Sequence, residues 1–198
     1  MRPSRRPRIC HVFADGFMIV DGRRLPCALG RGGIRTDKRE GDGATPAGLF
    51  SLRCVHYRTH RAGTPLTTLS RQPILRSHGW CDDPASPLYN RLVRLPFPAR
   101  HERLWRQDRL YDALVTIGHN DRPARPGRGS AIFIHVMHPE GEPTEGCVAL
   151  RPADMRWLLR RARPGDMVRI APPERKSPGL PLRQDLRKRR ACAGVAIN

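Results

Sequence analysis

The chain has 198 residues, of which 38% are hydrophobic, with 37 Lys and Arg against 18 Asp and Glu, a formal net charge of +19. This length is enough for one domain with a sizeable core. No run of 18 apolar residues occurs, so no transmembrane segment is predicted. The charge favours anionic partners: nucleic acid, an anionic lipid surface or a carboxylate-rich polymer.

Short apolar runs in the first third of the chain predict strands. The runs Ile9–Phe13, Phe17–Val20 and Leu25–Leu29 are separated by two Asp-Gly pairs, which are strong hairpin signals, so a meander is predicted. Another strand is predicted from Leu49 to Val55. The section from Tyr57 to Pro98 is irregular, and long loops in compact domains often carry function.

The second half of the chain holds two predicted strands, a helix and a final strand. The β-branched runs Tyr111–Gly118 and Ala131–Val136 are predicted to pair as a long hairpin. Pro152–Arg163 has a proline at its first position and an apolar face, which predicts a helix. Asp166–Ile170 follows as the last strand.

The two ends of the chain are rich in arginine and are predicted to be disordered tails, residues 1–7 and 172–198. Between them, residues 8–171 are predicted to form one folded domain. Strand spacing alone predicts an all-β sandwich or barrel.

The stretch from Ala131 to Leu150, AIFIHVMHPEGEPTEGCVAL, contains the clearest chemical signal. His135 lies in an apolar strand, a Pro- and Gly-rich loop follows, and Cys147 comes directly after Gly146. A cysteine nucleophile requires a neighbouring base, because the thiolate is the reactive form. A glycine leaves the backbone free to approach an acyl group, and amides near the cysteine can stabilise an oxyanion.

Two other interpretations of these residues stay open. Free cysteine is often a small buried core residue, and histidine is often a hydrogen-bonded core residue. His119, His135, His138 and Cys147 are also zinc-ligand types, although the sequence has no CxxC or HExxH motif. His119 is a second candidate base, or an exposed polar residue at the end of a strand.

Two motifs resemble the signature of the YkuD-type L,D-transpeptidases. That family has a strand histidine, a variable loop and Ser/Thr-His-Gly-Cys, and this sequence has His135 followed by Thr144-Glu145-Gly146-Cys147. The segment Gly41–Gly48, GDGATPAG, resembles the family's Thr-Pro-x-Gly segment. The resemblance covers roughly residues 8–170. Glu145 stands where the family usually has a second histidine, and the loop is shorter than usual, which is typical of a divergent member.

The resemblance implies a mainly β domain, a mixed-sheet sandwich with one or two helices. It also implies acyl transfer on peptidoglycan stem peptides, with a thioester on Cys147 and His135 as general base and acid. The acceptor is an amine, which gives a cross-link, or water, which gives an L,D-carboxypeptidase. No metal and no cofactor are expected. The residues expected to bind substrate or stabilise the oxyanion are Gly146, Glu145, Thr144, Trp80 and Asn120. An alternative for Trp80 is that it anchors a packed loop to the core.

The family resemblance and the N-terminal sequence predict different cellular compartments. The family acts in the cell envelope or periplasm, but the first 20 residues have a basic region without the apolar segment of a signal peptide, so a cytoplasmic location stays open. Six widely spaced cysteines lean towards a reducing compartment.

A rival interpretation is a basic module that binds nucleic acid or an anionic polymer without catalysis. The sequence has no recognisable nucleic-acid motif, so the expected partners are stem peptides and anionic cell-wall polymer, with no specific nucleic acid.

Overall fold

The structure is a computed structural model that describes residues 6–172 of the chain. Strands β1 to β14 are, in order, Ile9–Phe13, Phe17–Val20, Arg23–Ala28, Ile34–Arg35, Thr45–Pro46, Gly48–Tyr57, Ser70–Pro73, His78–Cys81, Leu92–Arg94, His101–Arg103, Ala113–Ile117, Phe133–Val136, Val148–Leu150 and Met167–Ile170. Helix α1 is Thr59–Ala62, and helix α2 is Pro152–Arg161. Within residues 6–172, no helix is long and apolar enough to cross a membrane.

The main sheet has nine strands and closes on itself. Its order is β11-β12-β13-β3-β2-β1-β14-β6-β7, and β6 also pairs with β11. Closure depends on the ten-residue length of β6, which pairs with β14 through residues 48–51 and with β11 through residues 52–57. β7 lies outside the ring, alongside β6.

Alternation along the strands explains how the sheet buries its core. In β1, Cys10 and Val12 are buried while their neighbours are exposed or half-buried, the period of two that a strand requires. The amphipathic helix α2 covers this core with Met155, Leu158 and Leu159. A smaller cluster around Phe133 lies on the side of the sheet that carries Cys147.

Two small sheets flank the main one. β10, β8 and β9 form a three-stranded antiparallel sheet, and β4 pairs with β5 in a parallel pair that contains Thr45. The small sheets bring residues from the 78–103 and 34–46 regions to the Cys147 side of β12.

Most of the predicted elements are confirmed. β1, β2 and β3 form the predicted meander, and β11 pairs antiparallel with β12 as the expected hairpin. The mainly β character and the two helices are also as predicted. The structure differs from the predicted sandwich, because one sheet closes through the β6–β11 pairing instead of two sheets packing face to face. The section from Tyr57 to Pro98 holds α1, β7, β8 and β9 in place of an irregular loop. The predicted tails, apart from residues 6–7 and 172, lie outside the described residues.

Candidate active site

The parallel pair β12–β13 positions the two residues of the predicted catalytic pair. Ile134 is opposite Val148 and His135 is opposite Ala149, so Cys147 lies one step before β13, at the level of Phe133. Phe133 and His135 point to the same face of β12 because side chains alternate along a strand. Cys147 and His135 therefore line one cavity with a volume of about 470 Å³, here called the Cys147 cavity.

The Cys147 thiol is buried and held by two backbone groups. Its Sγ donates to the Ala131 carbonyl at 3.2 Å and accepts from the Phe133 amide at 3.3 Å. Burial raises the pKa of Cys147 to about 12, with nearby Glu102 acting in the same direction. The resting side chain is therefore a neutral thiol at neutral pH.

His135 is held in a single orientation. Its Nδ1 lies 2.8 Å from the Val136 carbonyl, so Nδ1 carries the proton and donates, which leaves Nε2 with a free lone pair. The ring packs edge-on against Tyr111, with centroids 5.4 Å apart. Burial lowers the pKa of His135 to about 4, so the imidazole is neutral and able to accept a proton.

The segment from Thr144 to Cys147 is held in place by the Thr144 side chain and by the Thr-Pro-x-Gly segment. Thr144 Oγ1 donates to the Cys147 carbonyl at 2.7 Å and accepts from the Gly146 amide at 3.1 Å. Thr45, fully buried, approaches the same carbonyl at 3.4 Å. Gly146 has φ +132°, and a Cβ there would lie 2.8 Å from the Ala44 carbonyl oxygen, so a glycine is required. The Thr-Pro-x-Gly segment thus supports the backbone of the cysteine.

A buried lysine, Lys38, and the carboxylate of Glu40 line the cavity on the side of the 38–42 loop. Lys38 is 6% exposed, pairs with Asp42 and donates to the Arg39 carbonyl at 2.8 Å. Burial opposes ionisation of Asp42, but hydrogen bonds from Lys38 and two backbone amides outweigh it and lower its pKa. Glu40 accepts from Ser130 Oγ at 2.8 Å and from a tyrosine hydroxyl. The loop is thus held in place by paired charges.

Asn90 connects its own loop to Ala131, the residue whose carbonyl accepts the hydrogen bond from the Cys147 thiol. Its Oδ1 accepts from the Ala131 amide at 3.1 Å and from Trp80 Nε1 at 2.9 Å. Its Nδ2 donates to the carbonyls of His119 and Asn120 at 3.1 and 2.7 Å. Ala131 has φ +52°, a left-handed conformation that is uncommon for a residue other than glycine. Asn90 therefore holds Ala131 in the conformation that directs its carbonyl at Cys147.

A second buried polar group forms the opposite wall. The Tyr111 hydroxyl donates to Glu102 Oε1 at 2.7 Å, and Arg106 Nη1 lies 3.5 Å from the same oxygen. Burial raises the pKa of Glu102, with the two donors opposing it. Arg106 is also bound in a fork by Asp108. The wall thus presents a tyrosine, a carboxyl group and an arginine that are already bonded to one another or to Asp108.

A comparison with known protein families identifies the domain. The model of the L,D-transpeptidase catalytic domain, YkuD, matches residues 8–170. The chain belongs to this family. The match covers all the elements from β1 to β14 and includes both the His135–Cys147 stretch and the Thr-Pro-x-Gly segment.

Several solved structures resemble this YkuD domain at low sequence identity. They include an L,D-transpeptidase from Mycobacterium smegmatis (17% identity, 82% of this chain and 58% of that one, TM-score 0.37). The helical cell shape determining protein Pgp2 from Campylobacter jejuni has 12% identity, covers 85% and 49%, and has a TM-score of 0.41. An L,D-transpeptidase from Stackebrandtia nassauensis has 12% identity, covers 88% and 60%, and has a TM-score of 0.39. The chain thus spans about half to three fifths of these proteins. No curated protein matches it.

The YkuD domain brings together most of the predicted site residues. Thr144, Glu145, His135 and Cys147 all line the cavity, and Gly146 fixes the backbone beside them. Glu145 lies at the exposed rim and pairs with Arg31 at 2.8 Å. In the position of the usual family histidine, this carboxylate forms a surface ion pair.

Two predicted substrate-binding residues lie elsewhere. Trp80 packs edge-on against Phe133 at 5.1 Å and borders a separate cleft, so it supports the site from behind. Asn120 caps its own loop by donating to the carbonyls of Arg125 and Gly129. Their expected roles in binding substrate stay predictions, and in the structure both side chains hydrogen-bond within the protein framework.

The two other candidate histidines, His119 and His138, have partners of their own. His119 Nε2 lies 3.0 Å from the Arg128 carbonyl, and burial lowers its pKa. His138 lies at the cavity mouth, 3.7 Å from Glu142. Within residues 6–172, the three side chains close enough to share a cation are His138, Glu140 and Glu142, which are exposed or half-buried. The ligand set considered from the sequence is not assembled.

Sequence reasoning missed several residues that shape the cavity. Asn90, Glu102, Arg106 and Tyr111 come from sections without a motif. The one available signal was the polar and aromatic content of residues 78–90, which indicated function but favoured Trp80 over its partner Asn90.

Proposed function

We propose that this YkuD domain transfers acyl groups of peptidoglycan stem peptides through a thioester on Cys147. The observation that carries the proposal is the cavity in which a buried thiol and a neutral imidazole with a free Nε2 lie together. The Cys147 thiol and the His135 imidazole are the nucleophile and the base that acyl transfer requires.

In the first step, the Cys147 sulfur attacks the carbonyl carbon of the bond between the third residue of the stem and D-alanine. His135 Nε2 takes the thiol proton as the S–C bond forms, because the high pKa of the thiol makes a resting thiolate costly. The C–N bond then breaks, and His135 returns the proton to the leaving amine. A thioester and free D-alanine result.

The oxyanion of the tetrahedral intermediate requires nearby donors. The Gly146 amide already donates to Thr144 Oγ1. We therefore assign the Cys147 amide as the principal oxyanion donor, with Thr144 and Gly146 fixing the peptide plane that carries it. This role refines the expectation that both amides act together.

In the second step, an acceptor attacks the thioester carbonyl while His135 removes its proton. The S–C bond breaks, and the sulfur recovers a proton from the imidazolium. An amine acceptor from another stem gives a cross-link, whereas water gives a carboxypeptidase product. The exposed carboxylates of Glu142 and Glu145 at the mouth favour an amine, because they attract an ammonium group.

The substrate of this reaction lies in the cell envelope, so the proposal places the activity there. It also makes the anionic cell-wall polymer the partner that suits the charge of +19.

Intact-mass measurement of the full chain after incubation with a stem tetrapeptide tests the proposal. A covalent adduct with the mass of the peptide minus D-alanine, located on the peptide that contains Cys147, is the expected result. Adding a second stem with a free amine distinguishes cross-linking from hydrolysis. A chain that folds normally but forms no adduct, either with the peptide or with a carbapenem, refutes the proposal.

A further inference from the structure

A second cavity, with a volume of about 340 Å³, lies behind strand β12. β12 separates it from the Cys147 cavity, since His135 lines one cavity and its neighbour Val136 lines the other. Its walls come from α1, α2 and the 109–113 segment. We call it the arginine cleft because four arginines line it: Arg61, Arg109, Arg156 and Arg160.

Three of the four arginines of the cleft are available to a ligand, whereas Arg61 already donates to the Gln107 and Asp108 carbonyls at 3.0 and 3.2 Å. Arg109 is 81% exposed, and its one ion pair, to Asp112, is long at 3.9 Å. Among the ion pairs of residues 6–172, none includes Arg156 or Arg160, which lie one turn apart on the exposed face of α2. Asp112 is the one carboxylate in the lining, so the cleft has a clear positive excess.

The floor of the cleft is apolar and contains an acceptor with unused capacity. Val136, Met155 and Leu159 form the floor, and Leu66 stands at the rim with 67% of its surface exposed. The Asp112 carboxylate lies 3.6 Å from Arg61, beyond normal hydrogen-bond length, and its Oδ1 is buried without a donor among the described residues. The Asp112 side chain as a whole is 15% exposed, so part of it borders the cleft. The cleft therefore offers cationic donors, small apolar contacts and an acceptor.

We propose that the arginine cleft binds a short peptide with free carboxylates and small apolar side chains. Such a peptide supplies a partner for each feature: carboxylates for the guanidinium groups, methyl groups for the floor, and an N–H for Asp112. A nucleic acid supplies the anion but not the aliphatic groups. A lipid supplies the anion and the chain, but lacks a peptide N–H.

The sequence beyond Pro172 is a poor occupant, because it carries seven Lys and Arg against two acidic residues after Pro173. Like charges would repel it from four arginines. The occupant is therefore another molecule.

The site does not rest on the proposed function, because its residues are separate from Cys147 and His135. The two ideas can fail independently: Cys147 acylation is measured on the unmodified chain, whereas binding at the cleft is measured on the Cys147→Ala chain, which forms no thioester.

Isothermal titration of the Cys147→Ala chain with acetyl-Ala-Glu-Ala at low ionic strength tests the proposal. The comparison ligand is acetyl-Ala-Gln-Ala amide, which has the same shape and no charge. The cleft variant adds Arg156→Gln and Arg160→Gln. The matched control adds Arg94→Gln and Arg103→Gln, which removes the same charge from exposed strand positions in another sheet.

We expect the cleft variant to bind the acidic peptide at least about tenfold more weakly, since it loses two charge-assisted contacts. The control should change by less than about twofold, and the amide should bind more weakly than the acid to the parent. Equal losses in both double variants would show that net charge alone is responsible and would overturn the site. Failure of the peptide to bind, with cleft-dependent binding to vesicles of anionic phospholipid, would replace the peptide by a membrane surface. No binding of either probe also overturns the proposal.

Discussion

The two faces of β12 show two different uses of polar side chains. On the His135 face, Cys147, Asn90 and Tyr111 are buried and hydrogen-bonded to fixed partners. On the Val136 face, Arg109, Arg156 and Arg160 are exposed, and their one ion pair, Arg109 with Asp112, is long at 3.9 Å. Buried groups whose hydrogen bonds are satisfied hold a single geometry, as a chemical reaction requires. Exposed charges create an electrostatic potential, which suits the binding of a charged ligand and persists when one of the charges is lost.

Replacement of the nucleophile should have the largest effect on the His135 face. Cys147→Ala is expected to abolish adduct formation with a carbapenem while changing the unfolding free energy by less than about 2 kcal/mol, since a small residue replaces a small one. Intact-mass spectrometry and denaturant unfolding measure the two quantities. Cys81→Ala, at another buried cysteine, is the control and should keep the adduct. An adduct that survives Cys147→Ala contradicts the assignment of the nucleophile.

Removal of the proposed base, His135, should have the next largest effect. His135→Ala is expected to slow acylation by about 10²–10⁴-fold, the contribution of a positioned acid–base group. His119→Ala and His138→Ala are the controls, and each should cost far less, because His119 is bound to the Arg128 carbonyl and His138 lies at the cavity mouth beside Glu142. Stopped-flow measurement of acylation compares the three variants. A larger loss from either control identifies a different base.

The pH dependence of acylation tests the electrostatics of the same face. Because the pKa of His135 is lowered to about 4, its Nε2 should stay unprotonated down to that pH. The rate should then fall about tenfold per pH unit only below about 4. A fall that begins near pH 6.5 shows that the imidazole titrates normally.

Folding must be followed in the same pH series. The unfolded chain binds a proton on this histidine near pH 6.5 and the folded chain only near pH 4. The unfolding free energy therefore declines as the pH falls between these values, and buried His56, whose pKa is also lowered to about 4, adds to the decline.

The Asn90 network separates geometry from simple packing. Asn90→Ala removes four hydrogen bonds and releases Ala131, so we expect acylation to slow by at least about tenfold and the unfolding free energy to fall by roughly 2–4 kcal/mol. Trp80→Phe removes a donor to the same Oδ1 but leaves the bond to Ala131. It should therefore lose stability with little change in acylation per folded molecule. Equal kinetic losses in both variants contradict a positioning role for Asn90.

Glu145 provides the smallest predicted effect and the sharpest comparison, because it lies on the His135 face yet is as exposed as the cleft arginines. Its pair with Arg31 is a surface ion pair, 71% and 63% exposed. Glu145→Gln should therefore change acylation by less than about fivefold. A hundredfold loss of the acylation rate in the same assay would contradict this expectation. It would show that the position of Glu145 beside the cavity matters more than its exposure.

The sequence predicted what local patterns determine. The Asp-Gly turns predicted the β1–β3 meander, Pro152 predicted the start of α2, and an apolar, β-branched run predicted β12. The family motifs gave Cys147 and His135 as the pair to test. Each of these signals lies within a few residues or within a single loop.

Long-range contacts account for what the sequence did not predict. Asn90 reaches Ala131 across 41 positions, and Thr45 reaches Cys147 across 102. Closure of the sheet depends on which partner β6 meets along its length, and composition does not encode that choice. The sequence left two roles open for Trp80, a cleft wall or a packed anchor, because an aromatic ring suits both. Its hydrogen bond to Asn90 joins residues ten positions apart and belongs to no local pattern.

The position of β14 has a consequence for how the protein is made. β14 is, in chain order, the last strand among residues 6–172, yet it lies between β1 and β6, and the Arg8 amide donates to Asp166 across 158 positions. Until residue 170 emerges, the edges of β1 and β6 lack this partner, and exposed edges are sites where another chain can add a strand. We therefore expect nascent chains to be prone to aggregation at these two edges until this four-residue strand has emerged.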